Sequence, residues 1–188
     1  MKKIFTLFLC FQGYQSLSQI PDNFPSFGVE VDPVAYILKG YSLHGIYQPF
    51  SNWSFDLGVF GIEEPEGYSG NSGFRVTHKG FGVKAHYHFN GKTTRGLYTG
   101  FSFGYSRTEA VYKQSGESAG GHGLGFGPHI GYRFFLNKPK EGIQRGLYIT
   151  PWVGVDYSLP AEKIDFEKQK YQESRWTFFP TVHFGYRF

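Results

Sequence analysis

Five of the seven histidines, His44, His86, His88, His129 and His183, lie in stretches where every second residue is large and apolar, and each takes the alternate place. Imidazole exchanges protons near neutrality, so its company decides its chemistry. With Ser42 and Asp56, His44 forms a set in which a carboxylate orients the ring and the ring draws the proton from a serine hydroxyl, creating a nucleophile. Neutral imidazoles also hold divalent metal. His44, His86, His129 and His183 with Glu30 are candidate ligands able to lower the pKa of a metal-bound water. That metal set has neither a cysteine nor an HExxH pair to support it. Both readings require residues far apart in the chain to meet, so the elements that carry them come next.

From Phe50 onward, runs of about ten residues alternate large apolar with small or polar side chains, the period of a strand with two unlike faces. In 52–62, Trp53, Phe55, Leu57 and Val59 oppose Ser54, Asp56 and Gly58. The runs 81–90, 97–107, 124–134, 147–157 and 176–188 repeat the pattern. Ser42 to Gln48 adds a seventh strand and Phe27 to Asp32 an eighth. The polar face is dominated by Gly, Ser and His, whereas a water-facing sheet is usually rich in Lys, Glu and Thr. Small residues suit the crowded bore of a narrow barrel, which turns the aromatic face outward toward lipid. The pattern therefore predicts an all-β fold, an eight-stranded antiparallel up-and-down transmembrane β-barrel, with a soluble secreted ligand-binding barrel as the competing arrangement.

Connections follow the same plan. Short turns are expected near 49–51, 91–94 and 137–145 on the periplasmic side, with longer outer loops near 63–79, 108–120 and 159–173. The segment Pro33 to Lys39 is open to reading as a turn, a strand extension or a segment inserted in the lumen. Arg95-Gly96-Leu97-Tyr98 recurs as Arg145-Gly146-Leu147-Tyr148, each after a Gly-Phe-Gly strand, a weak internal repeat. Pro33, Pro128, Pro151 and Pro180 fall in or beside strands that become neighbours around the wall, where a missing N–H can interrupt a ladder or mark a bulge.

At the start, Lys2 and Lys3, the apolar run Ile4 to Phe11 and Ser16-Leu17-Ser18 read as a secretory signal cut before Gln19. The expected organisation is a signal peptide over 1–18 and one barrel domain over 19–188. Cys10 falls in the signal behind bulky Leu9, unlike a lipidation site, so the mature chain has no thiol for disulfides, metal sites or nucleophilic chemistry. Without Lys2 and Lys3, 17 basic residues stand against 15 acidic ones, a scattered charge of +2 that gives nucleic-acid binding no support.

These features resemble the small outer-membrane barrel families of OmpA, OmpX and OmpW, over about Phe27 to Phe188. The last strand, with Phe184, Tyr186 and Phe188 alternating to an aromatic end, resembles the signal those families present to the barrel-insertion machinery. The resemblance implies location in the outer membrane, contact with outer-membrane lipid and lipopolysaccharide, and a monomer. No segment resembles the peptidoglycan-binding domain of OmpA. The proline pattern is also similar to that of the lipid A palmitoyltransferase PagP, whose prolines open lateral gaps for lipid.

The expected function is a non-enzymatic barrel with a plugged polar lumen, structural or binding through its outer loops, and without a cofactor unless the histidines hold a divalent metal. In that reading, buried His, Asp and Glu satisfy one another across the bore. The alternative is an outer-membrane enzyme that modifies lipid or lipopolysaccharide with Ser42, His44 and Asp56 or with the metal set.

Overall fold

Alternation of this kind leaves each strand with one face to bury, and the chain buries the small polar one. The strands are β1 Ser26–Val31, β2 Tyr41–Gln48, β3 Trp53–Glu63, β4 Phe74–His88, β5 Gly96–Tyr112, β6 Ser118–Phe135, β7 Gly146–Pro160 and β8 Trp176–Arg187. The computed structural model describes residues 24–188 apart from 67, 69, 92, 141–143 and 168. The expected signal segment over 1–18, its expected cleavage point and Cys10 lie outside the described residues. Each strand pairs antiparallel with its neighbours in sequence, and β8 returns to β1 to close the barrel, so the sheet has no free edge.

Trp53, Phe55, Leu57 and Val59 face outward, as do Phe101, Phe103, Phe178 and Phe184, while Ser54 and Asp56 are sealed in the bore. An outward apolar surface of this extent is far larger than the few hundred Å² that soluble monomers usually expose. Inside, large side chains nest over glycines of the neighbouring strand. A Cβ on Gly185 would collide with the Tyr148 ring, one on Gly131 with Tyr98, and one on Gly58 with His44. Glycine on one strand is thus the space for an aromatic on the next.

Two expected outer loops, 63–79 and 108–120, are shortened by strand. β4 begins at Phe74, and β5 and β6 run to Tyr112 and from Ser118, leaving only 113–117 as the connection between them. The reason is a reversal of polarity along the same strands. Below it, aromatics face out and polar groups face in. Above it, Arg75, Lys79, Arg107 and Glu109 are exposed while Phe74, Val76 and Ala110 are buried. Ile164 and Phe166, from the loop 161–175, fill that upper interior with Tyr112, Ala119 and Tyr171 around them. Asn71 and Gln172 tie this cap to the loop 64–73, the Asn71 side chain donating to Gln172 O at 2.9 Å and accepting from Gln172 N at 2.9 Å. Burial, helped by Glu64 and Glu173, pushes the Tyr171 hydroxyl up to about 12. Phe166→Ala is expected to remove about 3 kcal/mol from the cap's local stability and leave the wall intact. Faster tryptic cleavage at Lys163 and Lys170, with unchanged far-UV circular dichroism, is the check.

The open segment resolves as a short helix, α1 Pro33–Ile37. Asp32 caps it, its Oδ1 accepting from Val34 N at 2.9 Å, and Pro33 stands at the first turn, where no N–H is needed. Lys39, at φ 53°, turns the chain down into β2. Among the described residues no helix is long and apolar enough to cross a membrane.

Candidate functional site

The tight turn after β2 sets the register of its hairpin, with Tyr47 opposite Phe55, Ile46 opposite Asp56 and His44 opposite Gly58. His44 and Asp56 are therefore not level across the hairpin but displaced by one inward-facing position. The side chains meet all the same. Gly58 leaves room for the His44 ring, which leans across it until Nδ1 lies 2.8 Å from Asp56 Oδ1 and Nε2 lies 3.0 Å from Ser42 Oγ. This is the diagonal contact that a long side chain makes between neighbouring strands. Lys84, from β4, donates to Asp56 Oδ2 at 2.8 Å and its Nζ lies 3.3 Å from His44 Nδ1.

A second cluster sits on Glu30 of β1. Its Oε1 accepts from Arg133 at 3.0 Å and from the Tyr148 hydroxyl at 2.8 Å, and its Oε2 lies 2.9 Å from His183 Nδ1. The Arg133 guanidinium lies over the Tyr148 ring at 4.6 Å. Four strands, β1, β6, β7 and β8, are tied at one carboxylate. The His44 and His183 rings, 4.8 Å apart, join the two clusters.

The five inward histidines form a belt with one insertion. From His183 the ring passes through Trp152 at 5.4 Å to His129 at 5.7 Å, then to His86 at 4.9 Å and on to His88 at 6.2 Å. Ser54 Oγ lies 2.8 Å from His88 Nε2. Between Glu30, Asp56, Lys84, His86, Tyr98, His129, Trp152 and His183 there is no room for a water-sized sphere. The five residues considered as metal ligands divide into Glu30, His44 and His183 on one side and His86 with His129 on the other. Among the described residues no three His, Cys, Asp or Glu side chains are arranged to hold a metal ion.

Neither nitrogen of the buried His129 ring has a hydrogen-bond partner. An unsatisfied buried polar ring costs stability that an apolar ring of similar shape recovers. His129→Phe is expected to be neutral or to stabilise by about 1 kcal/mol in urea unfolding, whereas the same change at His183, which lies against Glu30, is destabilising.

Alternation placed Glu30, Ser42, His44, Asp56, Lys84, His86, His88, His129, Arg133, Trp152 and His183 on the inner face. It did not mark Lys84, Arg133, Trp152, Tyr98 or Tyr148 as members of the network. The parity of Tyr98 with Gly100, and of Tyr148 with Thr150, carried that signal for the two tyrosines.

Around the wall only the seam between β6 and β7 is interrupted among the described residues. Its pairs run from Gly123 to Phe126, resume from His129 to Gly131 and resume again at Phe134 and Phe135. The gaps fall at Gly127 and Pro128 opposite Val155 and Asp156, and at Tyr132 and Arg133 opposite Thr150 and Pro151. Behind the first gap Ser102 Oγ lies 3.0 Å from Gly127 O and 2.7 Å from Asp156 Oδ1, closing it from within. Pro180 lies in an unbroken run opposite Val153, and Pro33 starts α1.

Fold and interior together define a class: small closed eight-stranded up-and-down barrels with an apolar outside and a packed polar inside. Among solved structures the chain is similar to the N-terminal β-barrel domain of Pseudomonas aeruginosa OprF, at 13% identity and TM-score 0.50, covering 87% of this chain and 98% of that one. It also aligns with Neisserial surface protein A, at 12% identity and TM-score 0.45 over 86% and 93% of the two chains, and with Acinetobacter baumannii CarO2, at 13% and 0.41 over 87% and 97%. At these identities the likeness to the OprF domain is one of fold alone. No protein-family model and no curated protein sequence matches the chain.

Proposed function

We propose that the chain is an exported, monomeric integral barrel of the bacterial outer membrane, non-enzymatic, with a plugged polar lumen and a structural role or a binding role exercised through its outer end. The outward aromatic face supports residence in lipid. The polarity reversal above it supports an end that stands in water. In this reading residues 1–18 direct export, and Phe184, Tyr186 and Phe188, all facing outward on or after β8, address the barrel-insertion machinery.

The observation that carries the plugged lumen is the pair of carboxylate clusters at Glu30 and Asp56, whose partners come from five further strands and between which no space for a water-sized sphere remains. Charges so paired have no reason to part for a passing ion. Single-channel recording in planar bilayers tests it. The expected trace is flat, and a steady conductance of porin size would sink the plugged reading.

A second reading, ester hydrolysis or acyl transfer on a membrane lipid, is favoured by one observation, the contact of Ser42, His44 and Asp56 in the order a nucleophile, base and orienting acid require. Against it, all three are buried and Lys84 occupies the other oxygen of Asp56. Under the structural reading a fluorophosphonate probe leaves the folded protein unlabelled, and outer-membrane lipids are the same with and without the gene. Labelling that disappears in Ser42→Ala would instead establish the enzyme.

A further inference from the structure

The outer face of the long strands carries a row of basic side chains, two of which have no ion pair among the described residues. Across β4 and β5, Lys79 stands directly opposite Arg107, and across β5 and β6 Arg107 stands opposite His122. Like charges directly opposite each other on one sheet face repel, a cost that natural sheets avoid unless something relieves it. Among the described residues neither Lys79 nor Arg107 has a carboxylate within ion-pair distance, and neither has Arg75, two rows higher on the same face. The acidic groups nearby are Glu63, engaged by Lys39 at 2.8 Å and felt by Arg75 as well, Glu64, engaged by His78 at 3.0 Å, Glu66, engaged by Lys113 at 2.8 Å, Glu162, engaged by His122 at 3.2 Å, and Glu109, which makes no ion pair among the described residues. Lys79 and Arg107 thus stand as two cations without an ion pair, with Glu109 the one carboxylate near them that is also without one among the described residues.

Depth says what the row meets. The next outward row below is Phe81, Tyr105 and Leu124, paired across the same three strands, with Val83, Phe103 and Phe126 below that. Successive outward rows are about 7 Å apart along a strand. The cations therefore lie one step above the uppermost aromatic row, where the polarity of the wall reverses and where lipid headgroups stand if the aromatics are in the membrane. Lys79 and Arg107 can share the oxygens of one phosphate, Arg107 through its planar fork and Lys79 as a point charge. The rows beneath offer apolar surface to acyl chains hanging from that same phosphate, which a free anion could not use.

We propose that Lys79 and Arg107 form a docking site for the phosphorylated headgroup of a lipid in the leaflet at the long-loop end of the barrel. The proposal rests on the membrane reading above and adds a ligand class and its residues.

The test uses the full mature chain folded into phosphatidylcholine nanodiscs containing a minor fraction of diphosphoryl lipid A, with native mass spectrometry to read the lipid retained on release. Wild type is expected to keep lipid A. K79Q/R107Q is expected to keep it about thirtyfold more weakly, two basic residues at a membrane surface being lost. K138Q/K140Q, at the short-turn end, is expected to match wild type. Equal retention by wild type and K79Q/R107Q overturns the proposal, as does equal loss in K138Q/K140Q. Displacement of lipid A by inorganic phosphate alone also overturns it, since the site would then recognise a small anion. A chain that stays out of the nanodiscs overturns the membrane reading and this proposal with it, whereas insertion with equal retention overturns this proposal only.

Discussion

Glu30→Leu is expected to destabilise the barrel by roughly 3–5 kcal/mol, because it removes the one acceptor shared by Arg133, Tyr148 and His183 and leaves the Arg133 guanidinium buried without a counter-charge. The Arg133 side chain is 2% exposed, so it cannot turn to solvent without opening the bore. Equilibrium urea unfolding from lipid vesicles measures the loss. The double variant Glu30→Leu with Arg133→Met is the sharper part of the expectation. With both charges gone the apolar pair can pack, and most of the stability should return, since desolvating an ion pair costs nearly as much as its attraction supplies. A double variant as unstable as Glu30→Leu would mean that the cluster holds the wall through geometry the charges alone do not explain.

The next largest effect belongs to Asp56. Asp56→Leu strands Lys84 and takes the partner from His44, an expected loss of about 3 kcal/mol. This is the low end of the range for a broken buried pair, since the Lys84 side chain keeps 14% of its exposure and its ammonium can be rehydrated in part. Asp56→Asn keeps an acceptor in place and should cost less than half as much. Adding Lys84→Met to Asp56→Leu should recover stability, and the energy recovered is the coupling of the pair. If Asp56→Leu proves harmless to unfolding yet abolishes a lipid-modifying activity, Asp56 belongs to the second functional reading and the structural one fails at this residue.

Much of this was legible without coordinates. Alternation located all eight strands because the pleat sends successive side chains to opposite faces, a local rule that does not depend on where the chain goes next. The same rule put Glu30, Ser42, His44, Asp56 and the histidine belt inside. The strand ends were less legible. Phe74 and Val76 look like the start of a loop when apolar residues are expected outside, and only the packing of Ile164 and Phe166 against them shows why the strand continues with its polarity reversed. The contact of His44 with Asp56 came from a leaning ring over Gly58 and not from level pairing across the hairpin.

What the chain alone determined was the number of strands and the side of the wall on which the residues of their central stretches stand. What only the folded barrel decided was who meets whom across the bore. Glu30 finds Arg133, Tyr148 and His183 at separations of 103, 118 and 153 residues, and closure of β8 on β1 brings them together. Register and shear are properties of the closed sheet as a whole, so no local pattern contains them.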